Sequence, residues 1–138
     1  QSNNFIHDAY VLDLFCGTGA LCFEAMSRGA KFATAIDSNK YYIANIKSFV
    51  EKYSITNIEA FAADVTKIRN LQSKYDLVFI DPPYDSKLIV PTLKLLDDKS
   101  LLLAGAIIII ELNKEFMMIL KGILSFIKKN LLIKKKVM

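Results

Sequence analysis

Tryptophan is absent from this chain of 138 residues, histidine occurs once, cysteine twice, proline three times and glycine five times. Each scarcity excludes something. Cys16 and Cys22 flank a single glycine turn, which fits neither a disulfide framework nor a zinc centre. Reduced thiols in a cytoplasmic protein are the expectation, with no metal. Glycine and proline this sparse, without a period, exclude collagen-like and low-complexity chains. The longest apolar runs, Leu101 to Ile110 and parts of Phe116 to Ile127, are too short or too interrupted to span a bilayer. No charged n-region or cleavage site opens the chain, so neither secretion nor a membrane partner is expected.

What is present is apolar and periodic. A hydrophobic share of 53% is enough for one sizeable core, and residues 1–138 read as one domain. The net charge of +4 is uneven: residues 114–138 hold seven lysines against one acid, Glu115, so the remainder is acidic by two. A basic end on an acidic body suits a polyanionic partner, and equally suits a solvated terminal helix and strand.

Strands are expected at Ala9–Phe15, Phe32–Asp37, Ile58–Ala63, Tyr75–Ile80 and Ala104–Leu112. Helices are expected at Thr18–Arg28 (Leu21, Ala25 and Met26 on one face), Lys40–Tyr53 and 86–97, with a short one after Asp64 reaching about Leu71. Tyr42, Ile43, Ile46, Phe49 and Val50 have helical spacing, and Ser38 or Asn39 suits the cap. Asn113–Lys129 reads as a helix followed by a strand at Leu131–Met138; a hairpin turning at Lys128–Asn130 is the alternative. The alternation predicts an α/β, mostly parallel sheet with helices on both faces. Such sheets bind ligands beyond the carboxyl ends of their strands, where Asp13, Asp37, Asp64 and Asp81 recur.

Two stretches carry chemistry. In Val11-Leu-Asp-Leu-Phe-Cys-Gly-Thr-Gly-Ala-Leu21, a buried strand runs into a glycine turn and a helix start. Gly17 and Gly19 admit positive φ and a close ligand. A pyrophosphate would be opposed by Asp13, and the third glycine of a dinucleotide fingerprint is replaced by Cys22. S-adenosylmethionine, with an ammonium and a sulfonium, fits better than NAD. In Asp81-Pro82-Pro83-Tyr84, two prolines remove N–H donors and stiffen a strand end. The Asp81 carboxylate and a proline carbonyl can accept both hydrogens of a planar amine while Tyr84 stacks on its ring. Catalysis there would rest on proximity and electrostatics, without a covalent enzyme intermediate.

Asp13-Leu-Phe-Cys-Gly-Thr-Gly-Ala-Leu21, Phe23-Glu-Ala-Met-Ser-Arg-Gly-Ala30 and Asp81-Pro-Pro-Tyr84 together resemble the RsmD-type bacterial 16S rRNA (guanine(966)-N2)-methyltransferases, over about residues 9–138. The resemblance implies a Rossmann-like class I fold, S-adenosylmethionine as cofactor and S-adenosylhomocysteine as product. It implies a cofactor loop of Asp13, Phe15, Cys16, Gly17, Thr18 and Gly19, ribose contacts at Asp37 and Ser38, and an adenine neighbourhood at Asp64 and Val65. Asp81, Pro82, Pro83 and Tyr84 would hold the target amine. The implied partner is 16S rRNA in the small ribosomal subunit or an assembly intermediate, met by a monomer. Cys16 and Cys22 replace the alanine and glycine usual in the family.

By the same comparison, the family's N-terminal segment and last strand are missing, leaving Leu131–Met138 without an obvious partner. The expectation is therefore weak cofactor binding and little turnover by these 138 residues alone. A DNA amino-methyltransferase shares Asp-Pro-Pro-Tyr, but the interval from Gly19 to Asp81 is filled by strands and helices, with no room for a target-recognition domain. A protein-glutamine methyltransferase usually carries Asn where Asp81 stands. A non-catalytic RNA-binding or assembly module is the reading from another class.

Overall fold

The computed structural model describes residues 5–82, 86–112 and 130–135. Among these residues six strands form one sheet in the order β3-β2-β1-β4-β5-β6, parallel at every pairing. They are β1 (Tyr10–Leu14), β2 (Phe32–Asp37), β3 (Ile58–Ala62), β4 (Tyr75–Ile80), β5 (Leu102–Leu112) and β6 (Asn130–Lys135). The helices are α1 (Ala20–Ser27), α2 (Lys40–Lys52) and α3 (Ile89–Asp98), with short 3-10 turns at Val65–Lys67 and Ser86–Leu88.

Alternation along the strands divides the core in two. On one face Cys22 and Ala25 of α1 and Ile43 and Ile46 of α2 pack against Val11, Ala33, Ala35 and Leu77. The small alanines of β2 let the helices approach closely. On the other face Ile89, Leu93 and Leu96 of α3 meet Leu12, Leu14, Val78, Ile80, Ile108 and Ile110. This is the α/β arrangement the alternation predicts, with helices on both faces. The chain builds outward from β1 to β2 and β3, then crosses to β4 on the other side of β1. Such a reversal splays the connections apart above β1 and β4 and opens a crevice at their carboxyl ends.

Several boundaries differ from the sequence expectation. Helix α1 begins at Ala20 rather than Thr18, because Gly17 (φ 54°) and Gly19 (φ 85°) hold the turn in the left-handed region. Its buried stripe is Cys22 and Ala25, and Leu21 turns outward at 42% exposure. In α2 only Ile43 and Ile46 are buried, and the Tyr42 and Phe49 rings stay in solvent. After Asp64 a single 3-10 turn stands where a helix reaching about Leu71 was expected. Pro91 has no N–H for the Lys87 carbonyl, so α3 becomes α-helical only from Ile89. Strand β5 starts two residues early, and its ladder jumps from Tyr75↔Leu102 to Leu77↔Ile107, with Gly105 at φ 78° inside the irregularity.

The largest correction concerns the last strand. It spans Asn130–Lys135 and has a partner: it pairs in parallel with β5, from Ile107↔Asn130 to Leu112↔Lys135. The expected helix over 113–129 and its hairpin alternative lie outside the described residues.

Candidate active site

Asp13 is the third member of Val11-Leu-Asp on β1, so it shares the face of Val11 that α1 and α2 cover. It is 1% exposed. One carboxylate oxygen accepts the Cys22 N–H in the first turn of α1. The other, Oδ2, is buried with no hydrogen-bond partner among the described residues. Burial pushes its pKa up to about 7, and the negative charges of Asp81 and Asp37 add to the effect. A buried carboxylate oxygen without a donor costs on the order of 1–3 kcal/mol or more. A ligand bringing N–H donors and positive charge would remove that cost.

The loop after β1 is shaped by backbone conformation. Phe15 takes φ 60°, uncommon for a side chain of its size, and Cys16 N–H is held by the Ile36 carbonyl at 3.0 Å. Gly19 N–H closes the turn on the Cys16 carbonyl at 2.9 Å. From β2, Asp37 Oδ2 accepts the Gly17 N–H at 2.9 Å and Oδ1 accepts the Asn39 N–H at 2.8 Å. Asn39 caps α2, its side chain accepting from Tyr41 N–H at 2.9 Å and Tyr42 N–H at 3.4 Å. One series of bonds thus joins the glycine loop to the start of α2.

Loop and strand ends enclose a cleft of about 550 Å³. Asp13, Phe15, Cys16, Gly17 and Thr18 line it from β1 and its loop, Asp37 and Ser38 from β2, and Asp81 from β4. Gly19 lies behind the wall: a Cβ there would stand 3.0 Å from Ile46 Cδ1. Asp64 and Val65 are not on the lining. The Asp64 carboxylate caps its own 3-10 turn, accepting from Thr66 Oγ1 at 2.7 Å and Thr66 N–H at 2.9 Å, which holds its pKa below the usual range. Val65 is packed in the core beside α3. Pro82 is buried immediately after Asp81, and Pro83 and Tyr84 lie outside the described residues.

Sequence reasoning missed Ala20, Leu21, Asn39 and Tyr42 as lining residues. The cap pattern at Asn39 was the available signal for the last two. Nothing local marked Leu21, which stands exposed in the first turn of α1 beside the cleft.

The chemistry of this wall is one-sided. Three carboxylates face the cleft, and among the described lining residues there is no lysine, arginine or histidine. Burial raises the Cys16 thiol pKa and takes Cys22 to about 12, so both stay protonated and are poor nucleophiles. Among the described residues no cluster is placed to hold a metal ion, and no helix is long and apolar enough to cross a membrane. The cleft suits a ligand with a cationic end and hydroxyl donors, and disfavours a pyrophosphate.

Comparison with known proteins agrees with that geometry. The family model described as conserved hypothetical protein 95 matches residues 1–135. Ribosomal RNA small subunit methyltransferase D of Buchnera aphidicola subsp. Acyrthosiphon pisum is 33% identical over 117 residues, covering 82% of this chain and 60% of that protein. The protein of the same name from Escherichia coli K12 is 32% identical over 119 residues, covering 80% and 56%. Among solved structures, a putative methyltransferase, yhhF, from Escherichia coli superposes with a TM-score of 0.70 at 30% identity, covering 75% of this chain and 59% of that one. The chain thus spans 60% or less of the length of these relatives. On the match over residues 1–135, the chain belongs to the conserved hypothetical protein 95 family, that of the RsmD-type proteins its motifs resemble.

Proposed function

We propose that this protein transfers a methyl group from S-adenosylmethionine to the exocyclic N2 amine of a guanine in 16S rRNA, in the small ribosomal subunit or an assembly intermediate, in the cytoplasm. The observation that carries the reading is the placement of Asp13 and Asp81. They stand at the ends of the adjacent strands β1 and β4 and line one cleft.

In this reading Asp13 receives the cofactor's ammonium end, which supplies the charge and donors its orphaned oxygen lacks. The turn from Phe15 to Gly19 lies against the cofactor's backbone, and Asp37 with Ser38 takes the ribose hydroxyls. Asp37 keeps acceptor capacity, since each carboxylate oxygen has a second lone pair. Asp64 and Val65, after β3, would lie on the adenine side; the cap on Thr66 uses Oδ1 of Asp64. When bound, the cofactor supplies an electrophilic methyl on a sulfonium. Asp81 accepts one hydrogen of the target amine, a carbonyl of Pro82 or Pro83 accepts the other, and Tyr84 stacks on the base. These groups orient the amine nitrogen and hold it, which is catalysis by positioning and electrostatics. The rRNA substrate is supported by the names of the relatives, both called ribosomal RNA small subunit methyltransferase D.

The test offers methyl-labelled cofactor and, in parallel, unmodified small subunits, free rRNA and duplex DNA to the chain together with any flanking sequence its gene encodes. The labelled nucleoside is then identified. N2-methylguanosine from a ribosomal substrate is the expected result. Label in DNA adenine or cytosine would instead assign a DNA amino-methyltransferase. Cofactor binding without any label would assign a non-catalytic module.

A further inference from the structure

Helix α2 carries a band of rings that the fold does not use. Tyr42, Phe49 and Tyr53 follow one another at seven and four positions, which places them on one flank of the helix. They remain 38%, 47% and 57% exposed. Phe23 of α1 meets Phe49 edge-on at 5.0 Å between centroids, and Phe49 leans on Tyr53 at 4.6 Å. Lys52 Nζ stands 5.4 Å from the centre of the Tyr53 ring. At the other end Tyr42 lines the cleft. Phe23, Phe49 and Tyr53 thus brace one another, and Tyr42, on the same flank nearer the start of α2, stands at the cleft mouth.

Its charge distinguishes between occupants. Helix α2 bears Lys40, Lys47 and Lys52 against one acid, Glu51, within a stretch of chain, residues 1–113, that is acidic by two; helical spacing puts Lys40 and Lys47 on the far flank and leaves Lys52 as its lysine at the rings. A helix of net positive charge on an acidic body, with one cation against the rings, suits a polyanion better than a second copy of the same surface, in which Lys52 would meet Lys52. Exposed aromatics beside lysines are the combination that holds single-stranded nucleic acid: bases stack on the rings and cations meet the backbone.

We propose that the band formed by Phe49 and Tyr53, with Lys52 beside it, binds single-stranded RNA flanking the nucleotide that enters the cleft. This rests on the RNA reading of the site above. The strand would pass over Tyr42 as it leaves the cleft and stack one or two bases farther along α2.

The test measures binding of a fluorescent single-stranded RNA oligonucleotide, and of its duplex, to the wild-type protein, to a Phe49→Ser/Tyr53→Ser double variant and to Lys52→Gln. S-adenosylmethionine binding is read in parallel. The double variant should lose single-strand affinity about tenfold or more. Lys52→Gln should lose about twofold to threefold and lower the salt slope by about 0.7. Cofactor affinity should not move in either. Unchanged single-strand affinity in folded variants overturns the proposal, as does a wild-type protein that ignores single strands. A wild-type dimer that the double variant dissolves would assign the band to a second copy instead. Should the double variant fail to fold, Tyr53→Ser and Lys52→Gln, at the exposed end of the helix, carry the same comparison. Loss of RNA affinity in the variants, with no methylated RNA formed by wild type, would leave the surface standing and remove the methylation reading.

Discussion

Asp37 holds Gly17 in place: its Oδ2 accepts the Gly17 N–H at 2.9 Å while its Oδ1 accepts the Asn39 N–H at 2.8 Å. One side chain at the end of β2 therefore fixes both the glycine loop and the start of α2. Replacing it with alanine strands two backbone donors. Asp37→Ala is expected to lower stability by about 1–3 kcal/mol, because hydrogen bonds to a charged group are the stronger kind. It should also weaken S-adenosylmethionine binding by more than tenfold. Urea denaturation and calorimetric titration of the same variant check both, and full cofactor affinity in it would contradict the assigned role.

Asp13 makes stability and binding depend on pH in opposite senses. Its carboxyl ionises near 3.8 when unfolded and near 7 when folded. Between these values the folded protein holds a proton that the unfolded chain has released, so stability falls as pH rises from about 4 to about 7. The fall is at most roughly 4 kcal/mol. A bound cation favours the ionised carboxylate, so cofactor affinity should rise with pH up to about 7, approaching tenfold per unit, and then level. Titrations at several pH values in buffers of different ionisation heat should show proton release below pH 7. Asp13→Asn should flatten both dependences and bind more weakly. A slope that persists in this variant would place the titrating group elsewhere.

The two loop glycines should fail differently when replaced by alanine. At Gly17 a Cβ meets nothing within 4 Å, so the expected cost is the left-handed backbone alone, about 1–2 kcal/mol, with a larger loss of cofactor affinity because the new methyl stands at the cleft wall. At Gly19 the Cβ also crowds Ile46 Cδ1 at 3.0 Å and Phe23 Cε2 at 3.2 Å. Overpacking adds about 1–3 kcal/mol there. Thermal melts of the two variants, with cofactor binding to each, separate a contact role from a packing role. Equal melting temperatures would refute the distinction.

Much of this architecture was legible because it is local. The apolar strand runs at Val11–Leu14 and Ile107–Ile110 and the helical spacing of Ile43 and Ile46 act through their immediate neighbours, and the acids at the ends of β1, β2 and β4 are marked by their place after an apolar run. What was not legible depends on conformation or on distant partners. The left-handed Phe15 has no sequence signature. Which flank of α1 meets the sheet, Cys22 with Ala25 rather than Leu21 with Met26, is decided by how the helix docks, and Leu21 stands in the cleft wall. That Oδ1 of Asp64 also turns onto Thr66 to cap the 3-10 turn depends on the backbone conformation there. The pairing of β6 with β5 is a long-range choice of partner that no periodicity records.

The central claim is that Asp81 acts on the substrate amine while Asp13 holds the cofactor in the same cleft. Its most direct test is Asp81→Ala, with single-turnover methyl transfer to unmodified ribosomal RNA and cofactor affinity measured on the same preparation. The account predicts a loss of about 10²–10³ in the transfer rate, the scale of one preorganised catalytic group, with cofactor affinity unchanged or slightly higher as a negative neighbour of Asp13 is removed. Transfer at the wild-type rate, or a loss that merely tracks weaker cofactor binding, would contradict it.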